Sequence, residues 1–217
     1  MNVKLVSLTK SLIEEKELSA EELIVYTARV SNPNNQLNTE SSEKLLNYLI
    51  KHKHWSPFEM VDMTVEITTS RAIAAQILRH RSFSFQEFSQ RYSEAQSIKP
   101  IELRYATKKN RQSSEETIDK DLNERYKKDI QYLNEVSLGI YNEMLKNGIA
   151  KECARMILPL STYTTLYMKG SVRSWIHYLQ IRLEQNTQLE HRQIAQSINK
   201  IFEQQFPNLH KIINDNN

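Results

Sequence analysis

Thirteen consecutive residues hold most of the chain's capacity for chemistry: Arg79-His80-Arg81-Ser82-Phe83-Ser84-Phe85-Gln86-Glu87-Phe88-Ser89-Gln90-Arg91. Three guanidinium groups, an imidazole, a carboxylate and several hydroxyls fall where a helical pattern gives way to irregular sequence. A guanidinium offers planar donors that bind phosphate bidentately, and irregular backbone after Arg81 leaves N–H groups free to donate as well. This set suits one or two phosphorylated ligands. It also admits a plainer reading, in which the arginines form a solvated helix end and Phe83, Phe85 and Phe88 anchor a core.

Glycine usage narrows how a nucleotide could be held. Only Gly139, Gly148 and Gly170 occur, too far apart for a G-x-G-x-x-G turn or a Walker A loop. Phosphates must therefore meet arginines and helix ends. Other reactive types offer less. The lone Cys153, between Glu152 and Ala154 in a helical stretch, reads as a packing residue. Ser89 has no paired base in sequence. His52 and His54, and Glu190 before His191, fit no metal-ligand spacing such as H-E-x-x-H, so no metal site is expected. Trp55 and Trp175 read as core or interface residues, with Trp55 also able to line a ring-binding pocket.

The elements that must position these groups follow from periodicity. Val3 to Leu8 reads as a strand, and Ser19 with Glu22 makes a capping box for a helix running to Val30. Residues 31–35 form a loop and a helix runs from Glu40 to His52. Val61, Met63, Val65 and Ile67 alternate with polar residues, the clearest strand in the chain. Ser70 caps a helix that ends near Arg79, and residues 81–99 read as irregular. Leu103 and Tyr105 suggest a short strand, and residues 107–116 an exposed loop. Ser113 with Glu116 opens a long helix carrying Ile118, Leu122, Tyr126, Ile130, Leu133, Ile140 and Met144, ended by Gly148. A short helix spans Lys151 to Leu158, Tyr163 to Met168 is a strand, Ser171 caps a helix holding Trp175, and a last helix spans Leu189 to Phe206. The class is α+β, with helices packed around a mainly antiparallel sheet.

The chain has 217 residues, 39% of them hydrophobic and 25% charged, which fits a single domain over residues 1–217 with a modest core that an oligomer could complete. A net charge of +3 gives no bulk argument for nucleic acid, and no apolar run approaches the roughly 20 residues needed to span a bilayer. One cysteine precludes an internal disulfide, so a cytoplasmic setting is expected. The N-terminus has no charged-then-apolar leader pattern.

The thirteen-residue block resembles the signature of the flavin-dependent thymidylate synthases, R-H-R, seven residues, then S-x-R, at every fixed position. Similar blocks surround it in order: His54-Trp55-Ser56-Pro57-Phe58-Glu59, Ala154-Arg155-Met156-Ile157-Leu158-Pro159-Leu160, and Arg173-Ser174-Trp175-Ile176-His177-Tyr178-Leu179 through Arg182. The resemblance implies the thymidylate synthase-complementing fold and a homotetramer with shared active sites. It implies that dUMP becomes dTMP, with methylenetetrahydrofolate as carbon donor, NADPH as reductant and FAD as hydride carrier. It places Ser56, Arg79, His80, Arg81, Glu87, Ser171, Arg173 and His177 against FAD. It places Gln76, Arg79, Glu87, Ser89, Gln90, Arg91, Arg155 and Arg182 against dUMP, and His54 near flavin and folate. No protein nucleophile is implied, and Arg182 is the expected catalytic residue, polarising the uracil ring. The chain departs from the pattern at Ser171 and His177, where many members carry Asn, and at Asn186, where they carry His. The last two differences read together as one exchange of an imidazole between neighbouring turns. Two rivals stand beside this reading: a single-stranded nucleic-acid module with Arg79, Arg81 and Arg91 on phosphates and Phe83 and Phe85 on bases, and a helical assembly protein without chemistry.

Overall fold

The computed structural model describes residues 2–95, 97–107 and 114–215. Its frame is a four-stranded sheet in which β1 (Asn2–Leu8) is followed by β2 (Asp62–Ser70), β6 (Tyr163–Ser171) and β3 (Ser84–Glu87), every neighbouring pair antiparallel. A separate pair, β4 (Arg104–Ala106) and β5 (Ser114–Thr117), forms a second small ribbon. The alternation read in β2 sorts its side chains by face: Met63, Val65 and Ile67 are fully buried while Thr64, Glu66 and Thr68 are half-buried opposite them. In β6, Leu166 and Met168 join the same buried layer and Tyr167 and Lys169 face outward.

Helices α3 (Arg71–Ile77), α6 (Val172–Arg182) and α7 (Leu189–Gln205) pack against the sheet, and α1 (Ala20–Ala28), α2 (Ser42–Lys51) and α8 (Pro207–Asp215) close the core around them. The anticipated capping box holds α1: Ser19 Oγ accepts from the Glu22 N–H at 3.2 Å, and the Glu22 carboxylate accepts from the Ser19 N–H at 2.8 Å. One device is used twice in the core. Strands β2 and β6 each end in a serine, Ser70 and Ser171, whose hydroxyl accepts from the N–H three residues on and starts α3 and α6. The two adjacent antiparallel strands therefore launch two helices, one leading to Arg79-His80-Arg81 and the other carrying Arg182.

Several expectations are corrected. Residues 81–99 are not irregular throughout, because Ser84–Glu87 adds an edge strand to β6. Four residues with one exposed face leave no alternation long enough to read. The long helix, α4 (Lys120–Lys146), begins at an Asp119 cap that accepts from the N–H groups of Asp121 and Leu122, so Ile118 precedes it and Glu116 lies in β5. A backbone in the ladder outranks a local capping pattern. Ser113 and most of the expected 107–116 loop lie outside the described residues. The 151–158 helix divides into α5 (Lys151–Ala154) and a 3₁₀ turn (Arg155–Ile157) before Pro159. Beyond Phe206 the chain forms α8, whose Leu209 N–H donates to the buried Glu21 carboxylate at 2.7 Å. Gly148 ends α4 as expected, with φ +78°.

Candidate active site

The Arg79–Arg81 segment runs antiparallel to α6, held at successive points. His80 packs edge-on to Tyr178 at 4.9 Å between ring centroids, and Ser174 Oγ donates to the Ser82 carbonyl at 3.1 Å. Phe83 then inserts against Trp175 and Tyr178. Gly170 makes this possible, since a Cβ there would lie 2.4 Å from the Phe83 ring. Phe83 is thus a core anchor; its burial fixes the backbone on which the two flanking arginines stand.

Arg182, at the last residue of α6, turns back so that its Nε–H donates to His80 Nε2 at 2.9 Å. Because a guanidinium only donates, His80 must present a lone pair and is neutral. Its pKa is lowered to about 4, first by burial and then by the Arg182 charge. His191, fully buried on α7, sits behind it: its Nε2 and the Tyr178 hydroxyl share a hydrogen bond of 3.1 Å, and its Nδ1 faces Gln76 Oε1 at 3.4 Å. Burial, then the Arg182 charge, then the repulsion two protonated imidazoles would feel across to His80, lower its pKa to about 3. Burial likewise pushes the Tyr178 hydroxyl above its ordinary range. A neutral histidine that protonates only on unfolding weakens the fold as pH falls through 6.5, the ordinary value, towards its folded pKa. The melting temperature should therefore drop steadily between roughly pH 6.5 and 5. A flat profile there, measured by differential scanning calorimetry, would contradict neutral His80 and His191.

Two further groups complete the set. Around the start of α6, Ser171 is committed to its cap, Arg173 pairs with Glu59 at 2.6 Å, and His177 packs at a tilt on half-buried Trp55, 4.8 Å between ring centroids. The 3₁₀ turn Ser56–Glu59 carries Ser56 beside them. His54 is projected by the end of α2, where Lys53 takes a left-handed φ of 57° and the His54 N–H donates back to the Leu49 carbonyl. Asn186 lies past the end of α6, in the turn before α7.

The third group gathers Ser89, Gln90, Arg91 and Arg155. Arg91 pairs with Glu152 at 3.3 Å and Lys151 donates to the Tyr92 carbonyl at 3.2 Å, so α5 and the turn bearing Arg155 are docked on the 89–92 segment. Ser89 Oγ accepts from the Arg91 N–H, and no base hydrogen-bonds to it among the described residues. Gln90 is 3% exposed, and its Nε2 is buried without a partner among the described residues. The same holds for Nε of Arg155. Buried donors left unmet are costly and rare in native proteins. Glu87 accepts from Thr164 at 2.9 Å and lies 3.6 Å from Arg71. Arg79 and Arg81 are exposed and form no ion pair among the described residues.

The structure thus brings Gln76, His80 and Arg182 into one contact network. Ser56, Ser171, Arg173 and His177 form a second group and Ser89, Gln90, Arg91 and Arg155 a third. Tyr178, His191, Gln188, Glu190, Arg104 and Arg71 were not anticipated from sequence. The signal for His191 was present, since it shares the apolar face of α7 with Ile194, Ala195 and Ile198. Cys153 corrects an expectation: it is exposed in the chain, on the outer side of the four-residue α5, and not a packing residue.

The antiparallel sheet with its flanking helices places the chain beside a nucleotide methylase in fold. The fold is that of the UMP/dUMP methylase PolB from Streptomyces cacaoi, solved with 5-Br dUMP, with a TM-score of 0.84 and 26% identity over 99% of this chain and 94% of that one. Residues 11–208 match the family described as thymidylate synthase complementing protein. The chain is 50% identical over 214 residues to a probable flavin-dependent thymidylate synthase of Paramecium bursaria Chlorella virus 1, covering 98% of this chain and 99% of that one. It is 54% identical over 209 residues to the flavin-dependent thymidylate synthase of Synechocystis sp., covering 95% and 96%. The chain belongs to the flavin-dependent thymidylate synthase family.

Proposed function

We propose that the protein makes dTMP from dUMP, with methylenetetrahydrofolate as carbon donor, NADPH as reductant and FAD as hydride carrier, and without a protein nucleophile. The observation that carries this reading is that exposed cations and buried donors without partners among the described residues fall at positions the family resemblance assigns to nucleotide and flavin. Arg79 and Arg81 stand exposed and unpaired among the described residues, and the buried Nε2 of Gln90 and Nε of Arg155 have no partner there. These residues fit both ligands, since a glycine-poor chain must hold phosphates by guanidinium groups.

FAD, when bound, supplies hydride transfer, which no side chain here can perform. Arg79, His80 and Arg81 hold it, with Ser56, Glu87, Ser171, Arg173 and His177 as further contacts. The Nε2 of neutral His80 is occupied by Arg182, so this imidazole orients that guanidinium and does not act as an acid. With its Nε–H engaged, Arg182 keeps its terminal amino groups available for the pyrimidine. There its fixed charge stabilises negative charge developing at the carbonyl and N3. Arg91 and Arg155 meet the phosphate, with Gln76, Glu87, Ser89 and Gln90 completing the nucleotide site, and His54 lies by flavin and folate.

The same reading includes a homotetramer with shared sites. Supporting it, α4 exposes Tyr132 and Leu133, each about two-thirds accessible, and the segment after α5 exposes Met156 and Leu160. No described helix is long and apolar enough to cross a membrane. In a mixture of dUMP, methylenetetrahydrofolate, NADPH and FAD, purified protein should form dTMP, and omission of FAD from dialysed protein should abolish it. A dialysed, flavin-free preparation that keeps full turnover would overturn the proposal. Cys153→Ala should retain kcat within about twofold, because a thiolate nucleophile is worth orders of magnitude where one is used. Loss of turnover in a folded Cys153→Ala protein would reinstate a covalent mechanism.

A further inference from the structure

Behind Gln76 runs a chain of hydrogen bonds that no catalytic role explains. Gln76 Nε2 donates to Gln188 Oε1 at 2.6 Å, Gln188 Nε2 donates to Glu190 Oε2 at 2.9 Å, and Arg104 donates to Glu190 Oε1 at 2.6 Å. Three elements far apart in sequence meet here: α3, the turn into α7, and the β4–β5 ribbon. The far end is charged and largely buried, with Arg104 and Glu190 side chains 10% and 14% exposed. The near end, at Gln188, is exposed.

The polarity of the chain is forced from its charged end. An ionised Glu190 only accepts and Arg104 only donates. Gln188 must therefore point its amino group at Glu190, which leaves its carbonyl to Gln76. Gln76 in turn must point its amino group at Gln188, which leaves its own carbonyl towards His191 Nδ1. His191 Nε2 then has to accept, and Tyr178 supplies the proton. A carboxamide is free to flip unless a neighbour is of one kind; here Glu190 is, and Gln188 passes its constraint on to Gln76.

We propose that Gln188 is a positioning residue that, with Glu190 and Arg104 behind it, fixes which way the Gln76 carboxamide faces the nucleotide. The inference rests on the reading of Gln76 as a dUMP contact. With the orientation fixed, the second Gln76 N–H is presented as a donor to a nucleotide oxygen, and its carbonyl is withheld. Without the anchor, the amide offers either end, and half of its orientations set a carbonyl against an oxygen of the ligand. Because the Gln76–Gln188 bond is solvent-exposed, its loss costs the fold little, which separates a positioning role from a structural one.

The test uses the flavin-loaded holoenzyme and dUMP itself. Gln188→Met keeps length and volume and removes both hydrogen bonds. It is expected to raise KM for dUMP about tenfold, with kcat and FAD affinity within about twofold of wild type and the melting temperature unchanged, the loss of one oriented hydrogen bond to an ionic ligand. Glu190→Gln, which keeps the shape but lets the polarity reverse, is expected to raise KM by a smaller factor. Unchanged KM in Gln188→Met overturns the proposal, as does a KM rise that comes only with parallel losses of kcat, flavin affinity and melting temperature. Calorimetric titration of wild-type holoenzyme with dUMP separates the two levels: absence of binding there removes the nucleotide reading itself, whereas normal wild-type binding with an indifferent Gln188→Met removes only the positioning role.

Discussion

Arg182→Ala lowers kcat by about 10²–10³-fold while the protein stays folded, the cost of removing one preorganised charge from a developing anion. The geometry makes the side chain unusually well placed for this. Its Nε–H is held by a neutral imidazole at 2.9 Å, so the guanidinium needs no reorganisation when charge appears on the ring. The same substitution has a spectroscopic signature. His80 loses the smaller of the two causes that lower its pKa, so its titration by NMR should move up from about 4 yet stay below 6.5, because burial persists. Near-normal turnover in Arg182→Ala would remove the polarising role, and an unmoved His80 would remove the contact.

Arg155→Met gives the second large effect, and it has two opposed parts. A charge-assisted hydrogen bond to phosphate is worth about 1.5–3 kcal/mol, so KM for dUMP should rise by about 10–100-fold at 1.4 kcal/mol per decade. In the ligand-free protein, however, Arg155 holds a buried Nε–H with no partner among the described residues. Methionine removes that unmet donor while filling similar space, so the ligand-free melting temperature should hold or increase. Weakened dUMP binding with undiminished stability is the result that marks a site built for an anion. A destabilised variant with normal KM would make Arg155 a structural residue.

What was legible in the sequence divides along physical lines. Local signals were readable because they are decided within a few residues: the Ser19–Glu22 box, the Ser70 and Ser171 caps, the β2 alternation and the Gly148 stop. The first residue of α4 was misread because Ser113 and Glu116 satisfy a capping pattern that a ladder partner, Arg104 paired with Thr117, overrides. The end of α7 was legible, but α8 was not anticipated, although Pro207 suits a helix start as well as a stop. The R-H-R block was legible as cationic. That Arg182 would reach His80, 102 residues earlier, was not, because the meeting depends on β2 and β6 being neighbours that each launch a helix. The Arg104–Glu190–Gln188–Gln76 chain was invisible for the same reason: none of its links lies within a recognisable motif. Cys153 was misjudged because free cysteine is usually buried, whereas α5 is too short to bury all its sides.

In the proposed function, the guanidinium groups of Arg79 and Arg81, exposed and unpaired among the described residues, serve as the flavin's anion-holding site. Titration of FAD into the flavin-free protein, followed by absorbance, tests it most directly. One flavin should bind per chain, and Arg81→Ala should weaken that binding at least about tenfold, the share of one charge-assisted contact. A folded wild-type protein that takes up no flavin, or an Arg81→Ala variant that binds it with undiminished affinity, would contradict the account.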